Sequence, residues 1–160
     1  MLRSCIAVIS LLCLTTAVLP VSIGDTPRSP PVADPSTNPL WLEPLAAQGN
    51  AIAQFNLGVL YDTGRGVWQD HVLAAQWYRK AAKQGHAAAQ FNLGGLYYEG
   101  QGVPKDLVRA SIWFTLAATA GYDGATRNRN SVASLLTVDQ IAAVQQMARA
   151  CRLNKYIDCD

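Results

Sequence analysis

The chain matches itself when shifted by 36 residues, and no other feature limits its fold so tightly. Gly49 recurs as Gly85 and Gly121, Trp41 as Trp77 and Trp113, Ala53 as Ala89 and Ala125, and Asn56 as Asn92 and Asn128. Residues 49–84 and 85–120 align without a gap and share 19 of 36 positions, against about two expected by chance from ordinary composition. A repeat of this length is one supersecondary unit that cannot bury its own apolar face, so neighbouring units must stack into a continuous core.

Each unit divides into two helices. In the first halves, 51–64 and 87–100, Ala53, Leu57 and Tyr61 recur as Ala89, Leu93 and Tyr97 at i, i+4 and i+8, one face of a helix turned to the core. Gly58 and Gly94 would each cost about 1 kcal/mol relative to alanine in a helix interior, which predicts a close helix crossing at those points. Gly64 and Gly66, then Gly100 and Gly102, end the first helix and turn the chain. Asp70 and Asp106 are placed to cap the second helix, in which Ala74, Trp77 and Ala81 (Ala110, Trp113 and Ala117 one unit on) pack back on the first. Thr137 with Gln140 forms a capping box for a final helix from Val138 to about Arg152, whose Ile141, Val144 and Ala148 cover the last open face.

The run LGxxYxxGxGVxxDxxxAxxWYxKAAxQG, read from Leu57 to Gly85, resembles the Sel-one-like repeat family, a relative of the tetratricopeptide repeat. The likeness covers two full units and fragments on either side. Leu40 to Gln48 resembles only the end of a second helix, with Trp41 at the place of Trp77 and Pro44 interrupting it. Residues 121–129 resemble the start of a third unit, and 128–149 the helices that close such arrays. Trp68 stands where the next unit has Pro104, and Arg127 and Arg129 replace Phe91 and Leu93, so the third unit reads as a polar cap. The resemblance implies an all-α fold, a short right-handed solenoid of helix pairs with capping C-terminal helices. The repeat domain is expected over 40–160, as units 49–84 and 85–120 and a partial unit with cap over 121–160.

The first residues read as an address. Met1–Arg3 is a positive start, Ile6–Leu19 an apolar run too short to span a bilayer comfortably, and Ser22 and Gly24 stand before a cut at Asp25. A signal peptide over 1–24 and a periplasmic or secreted mature chain are expected, the alternative being an uncleaved anchor. Residues 25–39 hold five prolines among polar residues and read as an extended linker. The mature chain would carry 12 basic against 11 acidic residues, with no polybasic arm for nucleic acid and no segment for a membrane once the signal is removed. It would keep Cys151 and Cys159, an even pair expected to form a disulfide worth about 2–3 kcal/mol in an oxidising compartment, or else to remain two free thiols.

Chemistry is sparse. The GRGV and GQGV loops lack the strand and the Lys-Ser/Thr of a phosphate-binding loop. His71 beside Asp70 would point about 100° away from it along a helix and has no nucleophile nearby, and His86 after a helix-ending glycine is expected to be solvated. Asp62 and Glu99, about one repeat apart, stand without the rest of a sugar cleft. No cofactor, no metal and no enzyme activity are expected.

What stacking creates is a groove, and in the tetratricopeptide relatives the first helices line its concave side. Carried over through the LGxxY anchor, the lining positions are Ile52, Phe55, Val59, Asp62 and Thr63, then Ala88, Phe91, Gly95, Tyr98 and Glu99. That lining is aromatic and mildly acidic, which suits a basic or amphipathic peptide of a protein partner. Phe55 and Phe91 equally fit packing within the array. The family resemblance implies an adaptor or regulatory scaffold; its alternative is binding or hydrolysis of cell-wall fragments or β-lactams, as in cysteine-rich secreted relatives, although the chain has no Ser-x-x-Lys.

Overall fold

The computed structural model describes residues 38–156 and Cys159. The expected signal peptide over 1–24 and all of the expected linker but Asn38 and Pro39 lie outside the described residues. Those described form seven α-helices and no strand: α1 (Pro39–Ala47), α2 (Ala51–Thr63), α3 (His71–Ala82), α4 (Ala87–Glu99), α5 (Leu107–Thr119), α6 (Ala125–Ala133) and α7 (Val138–Leu153). Neighbours pack in chain order from α1 to α6, and α7 lies along α5. This is the helix-pair solenoid that the repeat requires.

The local signals act as expected. Asp70 accepts from the amides of Val72 and Leu73 at 2.9 and 3.0 Å, and Asp106 from that of Arg109 at 2.9 Å, so each side chain satisfies amides that have no intrahelical partner. Gly64 and Gly100 close α2 and α4 in the left-handed conformation. Thr137 and Gln140 exchange both hydrogen bonds of a capping box at the start of α7. Two details differ from expectation. Pro39 belongs to α1 rather than to the linker, since proline fits the first helical position, where no N–H is needed. Pro44 does not interrupt α1: it removes one i→i−4 bond, and Leu42 and Ala46, one turn apart and buried, hold the helix on α2.

The core follows the repeat. Leu57 and Leu93 are fully buried at equivalent places, each worth about 1.5–3 kcal/mol relative to exposure. A Cβ on Gly58 would run into the ring of Tyr78, and one on Gly94 would stand 2.9 Å from the ring of Phe114, so both glycines admit the second helix of their own unit. A buried glutamine ties each unit to the one before it: the Nε2 of Gln54 donates to the carbonyl of Ala46 and that of Gln90 to the carbonyl of Ala82.

At the far end α7 buries Val144 and Ala148, with Ile141 half-buried, and Cys151 is disulfide-bonded to Cys159 with Cα atoms 5.1 Å apart. Tyr156 then reaches back to Gly85 at the turn between α3 and α4.

Candidate partner-binding groove

The ten positions expected to line a groove fall into four groups. Phe55 and Phe91 are half-buried against the core and repeat one arrangement. Phe55 stacks on His86 at 4.6 Å and tilts against Tyr78 at 5.9 Å; Phe91 meets Tyr122 at 4.9 Å and Phe114 at 5.5 Å, all between ring centroids. Each phenylalanine thus joins its own second helix to the first turn of the next unit, which is packing within the array. Val59 is likewise packed against the core.

Asp62 is engaged internally. His71 Nδ1 lies 2.9 Å from Asp62 Oδ1, and the hydroxyl of Tyr78 donates to Asp62 Oδ2 at 3.1 Å. Burial, then the Asp62 charge, hold the Tyr78 phenol well above its usual pKa, so it stays protonated as the donor. The carboxylate that orients His71 therefore comes from the preceding helix and not from Asp70, which is spent on the helix cap. One unit on, the same three places are Tyr98, Leu107 and Phe114, without a charge.

His86 is not a solvated loop residue. Its Nδ1 accepts from the amide of Ala89 at 3.2 Å, capping α4, and burial under Phe55 pushes its pKa below the usual value. In the preceding unit Asn50 occupies this place and caps α2 by accepting from the amide of Ala53 at 2.9 Å.

Gly95, Tyr98 and Glu99, by contrast, come together on one wall of a pocket of about 280 Å³ between α4 and α6. Phe114 of α5 contributes, and Asn128, Ser131 and Val132 of α6 form the facing wall. A Cβ on Gly95 would meet nothing within 4 Å, so the missing side chain leaves the pocket open. Tyr98 is 39% exposed, with Lys105 Nζ 5.5 Å from its ring centre. The structure therefore gathers three of the ten expected residues into a concavity. Ile52 and Thr63 are exposed on α2 and Ala88 half-buried on α4, none of them in that pocket.

Among the described residues no group of three or more His, Cys, Asp or Glu could hold a metal, and no helix is long and apolar enough to cross a membrane.

Comparison with known proteins agrees with the period. The Sel1 repeat family matches residues 51–86 and 87–122, offset by two residues from the units defined by their glycines. Among solved structures, a protective antigen of uropathogenic Escherichia coli strains displaying an SLR fold is 41% identical, with a TM-score of 0.70, over 74% of this chain and 25% of its own. A Sel1 repeat protein from Oxalobacter formigenes is 42% identical, with a TM-score of 0.55, over 57% of this chain and 37% of its own. The chain thus spans well under half the length of either neighbour. No curated protein gives a significant match.

Proposed function

We propose that this chain, which carries two Sel1 repeats, is an interaction module that docks a peptide of a protein partner along α2, α4 and α6, with no catalysis of its own. Sel1 repeats are generally protein-interaction scaffolds. The observation that carries the reading further is the pocket between α4 and α6, apolar at Phe114 and Val132 and rimmed by Tyr98 and Glu99. That lining accepts an apolar or long aliphatic side chain whose polar end meets a carboxylate, the anchor of a basic or amphipathic peptide. The disulfide between Cys151 and Cys159 and the apolar run near the N-terminus support a periplasmic or secreted protein, with 1–24 as signal, 25–39 as linker and 40–160 as the folded unit.

The test uses a displayed library of random peptides panned on the oxidised chain. A synthetic peptide from the enriched set should shift the amide resonances of Tyr98, Asn128 and Ser131. Gly95→Leu, which fills the pocket, should abolish binding, while Gly95→Ala retains most of it. Peptides that bind Gly95→Leu as tightly as the wild type would remove the pocket from the site.

A further inference from the structure

The seam between α5 and α7 holds a second cleft, of about 190 Å³, lined by Thr115, Leu116, Thr119, Gln145, Ala148, Arg149 and Arg152. It is separate from the groove. On α5 the groove side carries Phe114, whereas Thr115 and Thr119 lie about 100° and about 140° further round the helix. Leu116 and Ala148 are buried and make the floor.

Arg149 and Arg152 are three residues apart on α7, which brings both guanidinium groups to one side of the helix. Among the described residues neither makes a salt bridge and no carboxylate lines the cleft. Two uncompensated arginines beside one concavity are a pair of planar forks suited to an oxyanion. The threonines narrow the class. Thr115 donates its hydroxyl hydrogen to the carbonyl of Ser111 at 2.7 Å, and Thr119 donates to that of Thr115 at 2.8 Å. Their oxygens therefore offer lone pairs to a ligand, and a ligand that satisfies them must carry a donor. Gln145 adds an amide that serves in either sense.

We infer that this cleft binds a small hydroxycarboxylate, its carboxylate on Arg149 and Arg152 and its hydroxyl donating to Thr115 or Thr119. The site is independent of the peptide groove, shares no lining residue with it and needs no partner protein.

Glycerate is the probe, titrated into the isotope-labelled oxidised chain at constant ionic strength, with propionate (carboxylate only) and glycerol (hydroxyls only) in parallel. Glycerate should give saturating shifts at the amides of Thr115, Thr119, Gln145 and Arg149, with propionate several-fold weaker and glycerol inert. Arg149→Gln with Arg152→Gln should weaken glycerate binding at least about tenfold. The charge-matched control, Arg127→Gln with Arg129→Gln on α6, should leave it unchanged. Shifts that grow linearly without saturating, or that fall equally in both double variants, would mean charge screening alone and overturn the inference. Equal affinity for glycerate and propionate would overturn the part assigned to the threonines.

Discussion

Gly94 and Gly95 are neighbours in the middle of α4, and replacing each by alanine should stabilise the fold at Gly95 but not at Gly94. Both lie in a helix interior, where exchanging glycine for alanine is worth about 1 kcal/mol through helix propensity. At Gly95 nothing lies within 4 Å of the added methyl, so the whole gain remains. Gly95→Ala should stabilise by about 1 kcal/mol and raise the Tm by about 4 °C. At Gly94 the methyl would stand 2.9 Å from Cδ1 and Cε1 of Phe114 and 3.3 Å from the carbonyl oxygen of Ala110. Phe114 is buried and held by Phe91, so its ring has little room to retreat, and a backbone carbonyl yields only if α5 moves as a whole. Overpacking of this kind costs about 1–3 kcal/mol, which cancels or exceeds the propensity gain. Urea denaturation followed by circular dichroism measures both variants. If Gly94→Ala proved as stable as Gly95→Ala, α5 would not press on α4 as described and the argument for a close crossing would fail.

His86→Asn keeps an acceptor at the cap of α4, as Asn50 does for α2, and removes the titration. Because burial holds the His86 pKa below its unfolded value of about 6.5, the unfolded chain protonates first as pH falls. The wild type should lose stability as pH drops through that value, and the variant should lose less, read from urea midpoints at about pH 7.5 and 5.5. Ala120→Gln addresses a buried acceptor: Gln54 Oε1 accepts from Gln84 Nε2 at 2.7 Å, whereas Gln90 Oε1 has no partner among the described residues because Ala120 stands where Gln84 does. The substitution should stabilise by about 1 kcal/mol in thermal unfolding, and a neutral result would show that the introduced amide fails to reach Gln90. Cys151→Ser with Cys159→Ser should cost about 2 kcal/mol, and an unchanged urea midpoint would show that the tail adds nothing to the fold.

The repeat made the architecture legible because most local signals were present twice. Caps at Asp70 and Asp106, the crossings at Gly58 and Gly94 and the box at Thr137 act as their spacing dictates. Side-chain partners were legible only where they follow from helical neighbourhood. His71 finds Asp62, nine residues earlier, across the turn between α2 and α3, and no spacing rule along one helix reaches it. His86 stacks on Phe55 from the preceding first helix, a contact that exists only once units stack. The α6 wall of the pocket was missed because the LGxxY anchor used to transfer groove positions has disappeared from the third unit. The period itself held the missing signal: Asn128, Ser131 and Val132 stand 36 residues after Asn92, Gly95 and Leu96.

The two units agree where the fold needs them to and differ where the groove lies. Leu57 and Leu93, Gly58 and Gly94, and Asp70 and Asp106 are the same residues because the same packing and caps recur. At the groove positions, Val59 becomes Gly95 and Asp62 becomes Tyr98, while beneath them Tyr78 becomes Phe114. These changes act together. In the first unit a valine packs down, and Asp62, His71 and Tyr78 satisfy one another, so little is left for a ligand. In the second unit the carboxylate has gone, which lets the ring beneath be a phenylalanine with no hydroxyl to satisfy; the valine has gone, which opens space above that ring; and a tyrosine stands at the rim. Returning Gly95 to valine and Tyr98 to aspartate would therefore close the pocket and place an uncompensated carboxylate over Phe114, because Leu107 offers no imidazole to pair with it. The pocket is a coordinated departure from the repeat, and positions where stacked units disagree in concert are where a partner has something to read.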